Sequence, residues 1–156
     1  MANQKDLDST YMGVAMLHAK LSKARRATVG ACLVTSQGVC MPGYNGTPRG
    51  LDNDCEKKVT VSWSDHGLRQ VKWETKPEVI HAELNCILKA AKEGISCMQG
   101  TVYVTLSPCV QCSAMLINTG ISRLVYKDVY RSTEGLDLLK EAGIITEKYK
   151  GEEEDD

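Results

Sequence analysis

Four residues of this chain have types and spacing that can do chemistry together: His81, Glu83, Cys109 and Cys112. Cys109 and Cys112 stand three apart in SPCVQC, directly after a Ser-Pro pair. Ser107 is a candidate cap for a helix starting there, and Pro108 suits a first helical turn. Both thiols then share one face of that turn, where the positive end of the helix dipole favours thiolates. This suits a metal-ligand pair or a redox pair, and C-x-x-C alone does not choose between them. The deciding feature lies upstream, in HAE at 81–83, which opens another helix. One His and two Cys around zinc leave a fourth position open to water. Glu83 is close enough to His81 to reach that water without being a ligand. A closed structural zinc site would need a fourth protein ligand and would leave Glu83 idle.

The elements that must position these residues can be read from periodicity. Residues 8–24 place Met12, Ala15, Met16 and Ala19 on one helical face, with Asp8 or Ser9 as the expected N-cap. Residues 28–35 and 39–44 read as strands joined by a Ser-Gln-Gly turn, hence a hairpin. Residues 45–79 show little periodicity and read as a long loop insertion that Trp63 and Trp73 help to pack. Residues 81–93 read as a helix stopped by Gly94, with Leu84, Ile87, Leu88 and Ala91 on its buried face. A strand over 101–105, a helix over 109–119, a strand over 123–127, a helix over 136–142 and a strand over 144–149 complete the chain. Strand–helix alternation after a hairpin implies parallel pairing. The expected fold is α/β, a three-layer αβα domain over 1–149 with a mixed five-stranded sheet. Residues 150–156, ending in GEEEDD, read as an acidic disordered tail.

Composition narrows the partners. The chain has 156 residues and a formal net charge of −1, which fits one core and gives no general basic excess for nucleic acid. The one basic cluster is Lys20, Lys23, Arg25 and Arg26. No apolar run is long enough for a transmembrane helix, and the N-terminus lacks a signal-peptide pattern. The expected location is cytoplasmic. Seven cysteines, an odd number, argue against a disulfide framework there. Cys32, Cys40, Cys86 and Cys97 read as small buried hydrophobes, and His18 as a surface or packing residue. Cys55 and His66 share the long loop, but their spacing matches no defensible metal pattern.

H-x-E followed by P-C-x-x-C resembles the zinc nucleobase deaminases. TVGACLV, GYNGTPRG, EVIHAELNCIL, TVYVTLSPCVQC and LVY extend the resemblance over about 28–127, most of the domain. They are similar to the deoxycytidylate (dCMP) deaminases of the cytidine deaminase-like superfamily. The tRNA adenosine deaminases share the zinc motif but are typically more basic, and usually carry Glu where this chain has Ser107. The resemblance implies Zn(2+) on His81, Cys109 and Cys112, with Glu83 as proton shuttle and Asn45 at the sugar. It implies hydrolysis of dCMP to dUMP and ammonia. The loop 43–50, with Gly46 and Arg49, resembles the part where the family binds regulatory nucleotides. A homo-hexamer activated by dCTP with Mg(2+) and inhibited by dTTP is the corresponding expectation. Arg26 and Tyr130 are the candidates for the 5′-phosphate. A tRNA, free-base or nucleoside deaminase on the same zinc site is the alternative. Some viral relatives carry a second zinc on extra Cys and His residues; here no Cys precedes TVGA, so that site is not expected to be complete.

Overall fold

The computed structural model describes residues 1–151. The tail expected over 150–156 therefore lies, from residue 152 on, outside the described residues.

β1 (Gly30–Val34) and β2 (Cys40–Tyr44) pair antiparallel, as the turn between them predicts. β1 also pairs antiparallel with the later strand Thr101–Leu106, which in turn pairs parallel with Arg123–Asp128. The last strand, Ile145–Lys148, lies parallel beside it. In chain order these three are β5, β6 and β7, and the sheet order is β2-β1-β5-β6-β7. The sheet is mixed and five-stranded, as expected.

Helices cover both faces. On one face α1 (Gln4–Ala19) packs Met12 and Ala15 on Cys32, Val34, Tyr103 and Val125. The other face carries α2 (Ala82–Glu93), α3 (Val110–Asn118) and α4 (Glu134–Glu141). There Ala31, Leu33, Val102, Val104 and Leu124 meet Cys86, Leu116 and Leu139. β1 is buried along its whole length because alternate residues serve the two cores. Among the described residues no helix is long and apolar enough to cross a membrane.

Three local expectations are corrected. α1 starts at Gln4, not near residue 8, because Asn3 and Asp6 form a reciprocal capping box. Asp8 does not cap, because its carboxylate accepts two hydrogen bonds from the Arg123 guanidinium, each at 2.7 Å. The α1 face is as expected except for Met16, which is 42% exposed.

The α2 face is rotated from the predicted one. Ala82, Glu83, Cys86 and Ala90 are buried, whereas Leu88 is 45% exposed and Ala91 is exposed. The cause is close packing on β2. A Cβ at Gly43 would stand 2.8 Å from the Ala82 carbonyl oxygen and 3.0 Å from Cys86 Sγ. Only the small-residue face of α2 fits against the strand, so Leu88 turns outward while Leu84 and Ile87 are half-buried.

The third correction falls within 45–79. This segment contains a two-stranded antiparallel hairpin, β3 (Glu56–Trp63) and β4 (Arg69–Thr75). Both its faces are largely solvated, so it lacks the apolar alternation by which strands are recognised. Trp63, 69% exposed, packs little. Trp73 instead carries the Arg25 guanidinium 4.6 Å from its ring centre.

Asp8 ties α1 to β5 and β6. Its carboxylate also accepts from the Tyr103 hydroxyl at 2.7 Å, and Arg123 reaches on to Glu147. Burial pushes the Asp8 carboxyl upward, but hydrogen bonds from Arg123, Tyr103 and Gln4 outweigh it and hold it below its ordinary value. A carboxylate lowered in this way stabilises the fold above its unfolded pKa, and that contribution fades as pH falls through the folded value. Asp8→Asn should therefore cost about 2 kcal/mol at neutral pH. In urea titrations its deficit relative to wild type should shrink below about pH 4; a deficit that stays constant with pH would rule out this role.

Candidate metal centre and cleft

Two helix starts meet at the site. His81 is the N-cap of α2 and Cys109 the N-cap of α3, both with extended backbone. Cys112 follows in the first turn of α3, as the C-x-x-C spacing predicts. Ser107 does not cap that helix. It is buried in the approach to α3, and its Oγ accepts a hydrogen bond from the Tyr130 amide at 2.6 Å. Its own amide donates to the Asp128 carbonyl, so Ser107 fastens the loop after β6 beside the metal centre.

Other contacts fix the α2 start. Gly46 and Ile80 exchange backbone hydrogen bonds of 3.1 and 2.8 Å, anchoring the chain just before His81. The Asn85 side chain donates to the Tyr44 carbonyl at 2.7 Å. The GYNG turn and the HAE helix start are thus one rigid unit.

The three ligand candidates converge. His81 Nδ1 lies 3.3 Å from Cys112 Sγ and 3.7 Å from Cys109 Sγ. All three ligand atoms fall within 4.8 Å of one another. Bonds of about 2.0 Å to nitrogen and about 2.3 Å to sulfur give tetrahedral N···S edges of about 3.5 Å. The observed spacings straddle that edge, so these residues fit a zinc ion. Among the described residues this is the one such group of three; Cys55 and His66 form none. Cys55 lies buried before β3, and His66 is exposed in the turn between β3 and β4.

Electrostatics agree with a cation site. Hydrogen bonds from Cys112 and then His81 hold the Cys109 thiol down at about 3. Its bond to Cys109, together with burial, pushes the Cys112 thiol up. Thiolates are the form in which cysteines bind a metal ion, and the lowered Cys109 thiol is suited to that role. The bond to Cys109 also raises His81, against burial.

Glu83 is only 3% exposed, and burial, its largest influence, raises its pKa. It lines a cleft of about 580 Å³ with His81 and Cys109. A carboxyl group raised from its usual range is suited to taking up and returning a proton near neutral pH.

Asn45, Arg26 and Tyr130 all line the same cleft. The Asn45 side-chain amide accepts from Val29 N at 2.8 Å and donates to the Ala27 carbonyl at 2.9 Å. It therefore shapes the wall through the backbone, keeping one N–H and one lone pair for a ligand. Arg26 Nη1 donates to Thr75 Oγ1 at 3.4 Å. Gly46 and Arg49 are not among the lining residues. Among the lining residues that the sequence reading did not single out are Glu56, Thr75 and Arg131. Glu56 and Thr75 belong to the hairpin, whose period gave no signal. Arg131 follows Tyr130 directly, with its guanidinium 5.1 Å from the Tyr130 ring centre; that adjacency was the available clue.

The family described as the cytidine and deoxycytidylate deaminase zinc-binding region matches residues 5–128. The chain belongs to this deaminase family. It is 33% identical to the deoxycytidylate deaminase of Enterobacteria phage T4, over 87% of this chain and 86% of that protein. It is 34% identical to the deoxycytidylate deaminase of Saccharomyces cerevisiae, over 94% of this chain but 46% of the yeast protein. In structure it resembles the dCMP deaminase of cyanophage S-TIM5, solved with dCMP and dUMP, with a TM-score of 0.80 and 33% identity. That likeness covers 95% of this chain and 100% of the phage chain. In this deaminase, as in the sequence reading, the matched region takes in both helix starts.

Cys112→Ala removes one of the three candidate ligand atoms. Metal analysis of the purified variant should show zinc far below equimolar, against equimolar zinc in wild type. Equimolar zinc in the variant would exclude Cys112 as a ligand.

Proposed function

We propose that this protein is a zinc-dependent hydrolase converting dCMP and water to dUMP and ammonia. The observation that carries this reading is the convergence of His81, Cys109 and Cys112 at a cleft that His81, Cys109 and buried Glu83 line. The relatives' substrate supports the choice of dCMP.

His81, Cys109 and Cys112 would hold the zinc ion. When bound, zinc supplies Lewis-acid activation of the attacking water. The rest of the work falls to the protein. Glu83 accepts a proton from that water and delivers it to N3 of the pyrimidine, making C4 more electrophilic. It then takes the remaining proton from the hydroxyl added at C4 and gives it to the departing amine, so that one water proton ends on N3 and the other on ammonia. Burial of Glu83 excludes competing solvent and raises its pKa, which suits it to proton transfer. Arg26 and Arg131 supply cationic groups for the 5′-phosphate, with the Tyr130 hydroxyl as a further donor. Asn45 contacts the sugar with its remaining amide valence.

The reading extends to a cytoplasmic homo-hexamer feeding dTMP synthesis, activated by dCTP with Mg(2+) and inhibited by dTTP. Resemblance of the loop containing Gly46 and Arg49 supports this regulatory part. The catalytic domain is assigned to 1–149, with 150–156 as an acidic tail.

Glu83→Gln should retain equimolar zinc and lose at least ~10²-fold in kcat. Full activity in that variant would remove Glu83 from the mechanism. Ultraviolet-detected deamination of dCMP, beside cytidine and a tRNA anticodon stem, tests the substrate. Conversion of dCMP alone is expected, with a higher rate in the presence of dCTP and Mg(2+). Silence on dCMP by a zinc-loaded protein would overturn the substrate assignment, and indifference to dCTP would overturn the regulation.

A further inference from the structure

Glu56, the first residue of β3, is a buried acid that the reaction does not use. It is 5% exposed and lines the cleft that holds Glu83 and His81. Its Oε1 accepts hydrogen bonds from the backbone amides of Arg25 and Arg26, at 2.8 and 3.2 Å. Its Oε2 has no hydrogen-bond partner. A buried carboxylate oxygen left unpaired is costly, and such a cost is recovered where a ligand supplies the missing donor.

The chemistry of the proposed substrate limits what that donor can be. A carboxylate accepts hydrogen bonds and repels phosphate. The cationic side chains in the cleft, Arg26 and Arg131, are therefore the phosphate partners, and Glu56 is not. A deoxycytidine monophosphate has two neutral donor groups, the 4-amino group and the 3′-hydroxyl. The amino group must sit at the metal centre, because C4 is the reacting atom. The 3′-hydroxyl remains.

We propose that Glu56 is a specificity-determining residue that accepts a hydrogen bond from the 3′-hydroxyl of the nucleotide sugar. The inference rests on the dCMP reading above and assigns one more group of the same site. The bond from the hydroxyl to a carboxylate is charge-assisted and strong for its size. The terminal torsion of Glu is soft, so a small turn presents an oxygen to the ligand without moving the backbone. Glu56 also fastens the hairpin to the segment before β1, so sugar recognition and the shape of the wall share one side chain. A site built in this way discriminates strongly against an analogue lacking the hydroxyl, since the acceptor is then left unpaired.

The test compares kcat/KM for dCMP and for 2′,3′-dideoxycytidine monophosphate in wild type and in Glu56→Gln. Gln keeps an oxygen for the two backbone amides and replaces the negative oxygen by a donor. Wild type should prefer dCMP by about 10- to 100-fold. Glu56→Gln should reduce that preference to within about threefold, mainly through KM for dCMP, and leave the dideoxy substrate nearly unchanged. A preference that persists in the variant, or equal losses on both substrates, would overturn the proposal; equal losses would mark Glu56 as structural. Turnover of dCMP by wild type with no preference between the two would overturn this inference alone. No turnover of dCMP by zinc-loaded wild type would overturn the substrate reading and this inference together.

Discussion

Two helices that begin at the same place impose the central constraint on this molecule. His81 and Cys109 are N-caps of α2 and α3, so both stand at helix ends whose first amides have no intrahelical partner. Those amides favour negative charge, and two thiols and an imidazole are held within 4.8 Å there. Hydrogen bonds from Cys112 and His81 pull the Cys109 thiol down, while its bond to Cys109 and burial push the Cys112 thiol up. The three ligand atoms are spaced to suit a divalent ion. Everything else in the fold serves to keep the two helix starts in register.

That register depends on close packing as much as on polar contacts. The approach of α2 to Gly43 leaves room only for Ala82 and Cys86, and so fixes the rotation of the helix. With that rotation Glu83 is buried beside the ligands rather than pointing to solvent. On the other face, Gly30 lets α1 lie against β1; a Cβ there would stand 1.8 Å from the Ala15 carbonyl oxygen. Small residues thus set the spacing of the layers, and the spacing sets the site.

The hairpin β3–β4 closes the cleft from outside the main sheet. It has little core of its own, and its first residue is tied to the chain before β1 by Glu56. Ser107, which also lines the cleft, holds the Tyr130 amide after β6 in a similar way. Two buried polar side chains therefore join loops from distant parts of the sequence around one volume. A single hydrogen bond to a backbone amide is worth only about 1 kcal/mol, yet each fixes the direction of a whole loop.

The grouping of His81, Cys109 and Cys112, the acid two residues beyond His81 and the mixed five-stranded sheet were legible in the sequence. Metal chemistry demands particular residue types, and short spacings such as H-x-E and C-x-x-C are set locally by helix geometry. Strand–helix alternation likewise follows from local period. The face of α2 was not legible, because hydrophobicity points Leu88 inward while steric contact at Gly43 turns it outward. Nor was the role of Ser107, whose partner lies 23 residues away. Glu56 and Thr75 entered the cleft only through a solvated hairpin with no apolar alternation to announce it. Local periodicity and residue chemistry are properties of the chain. Which small residue meets which backbone, and which distant acid faces the cleft, are decided by packing in three dimensions.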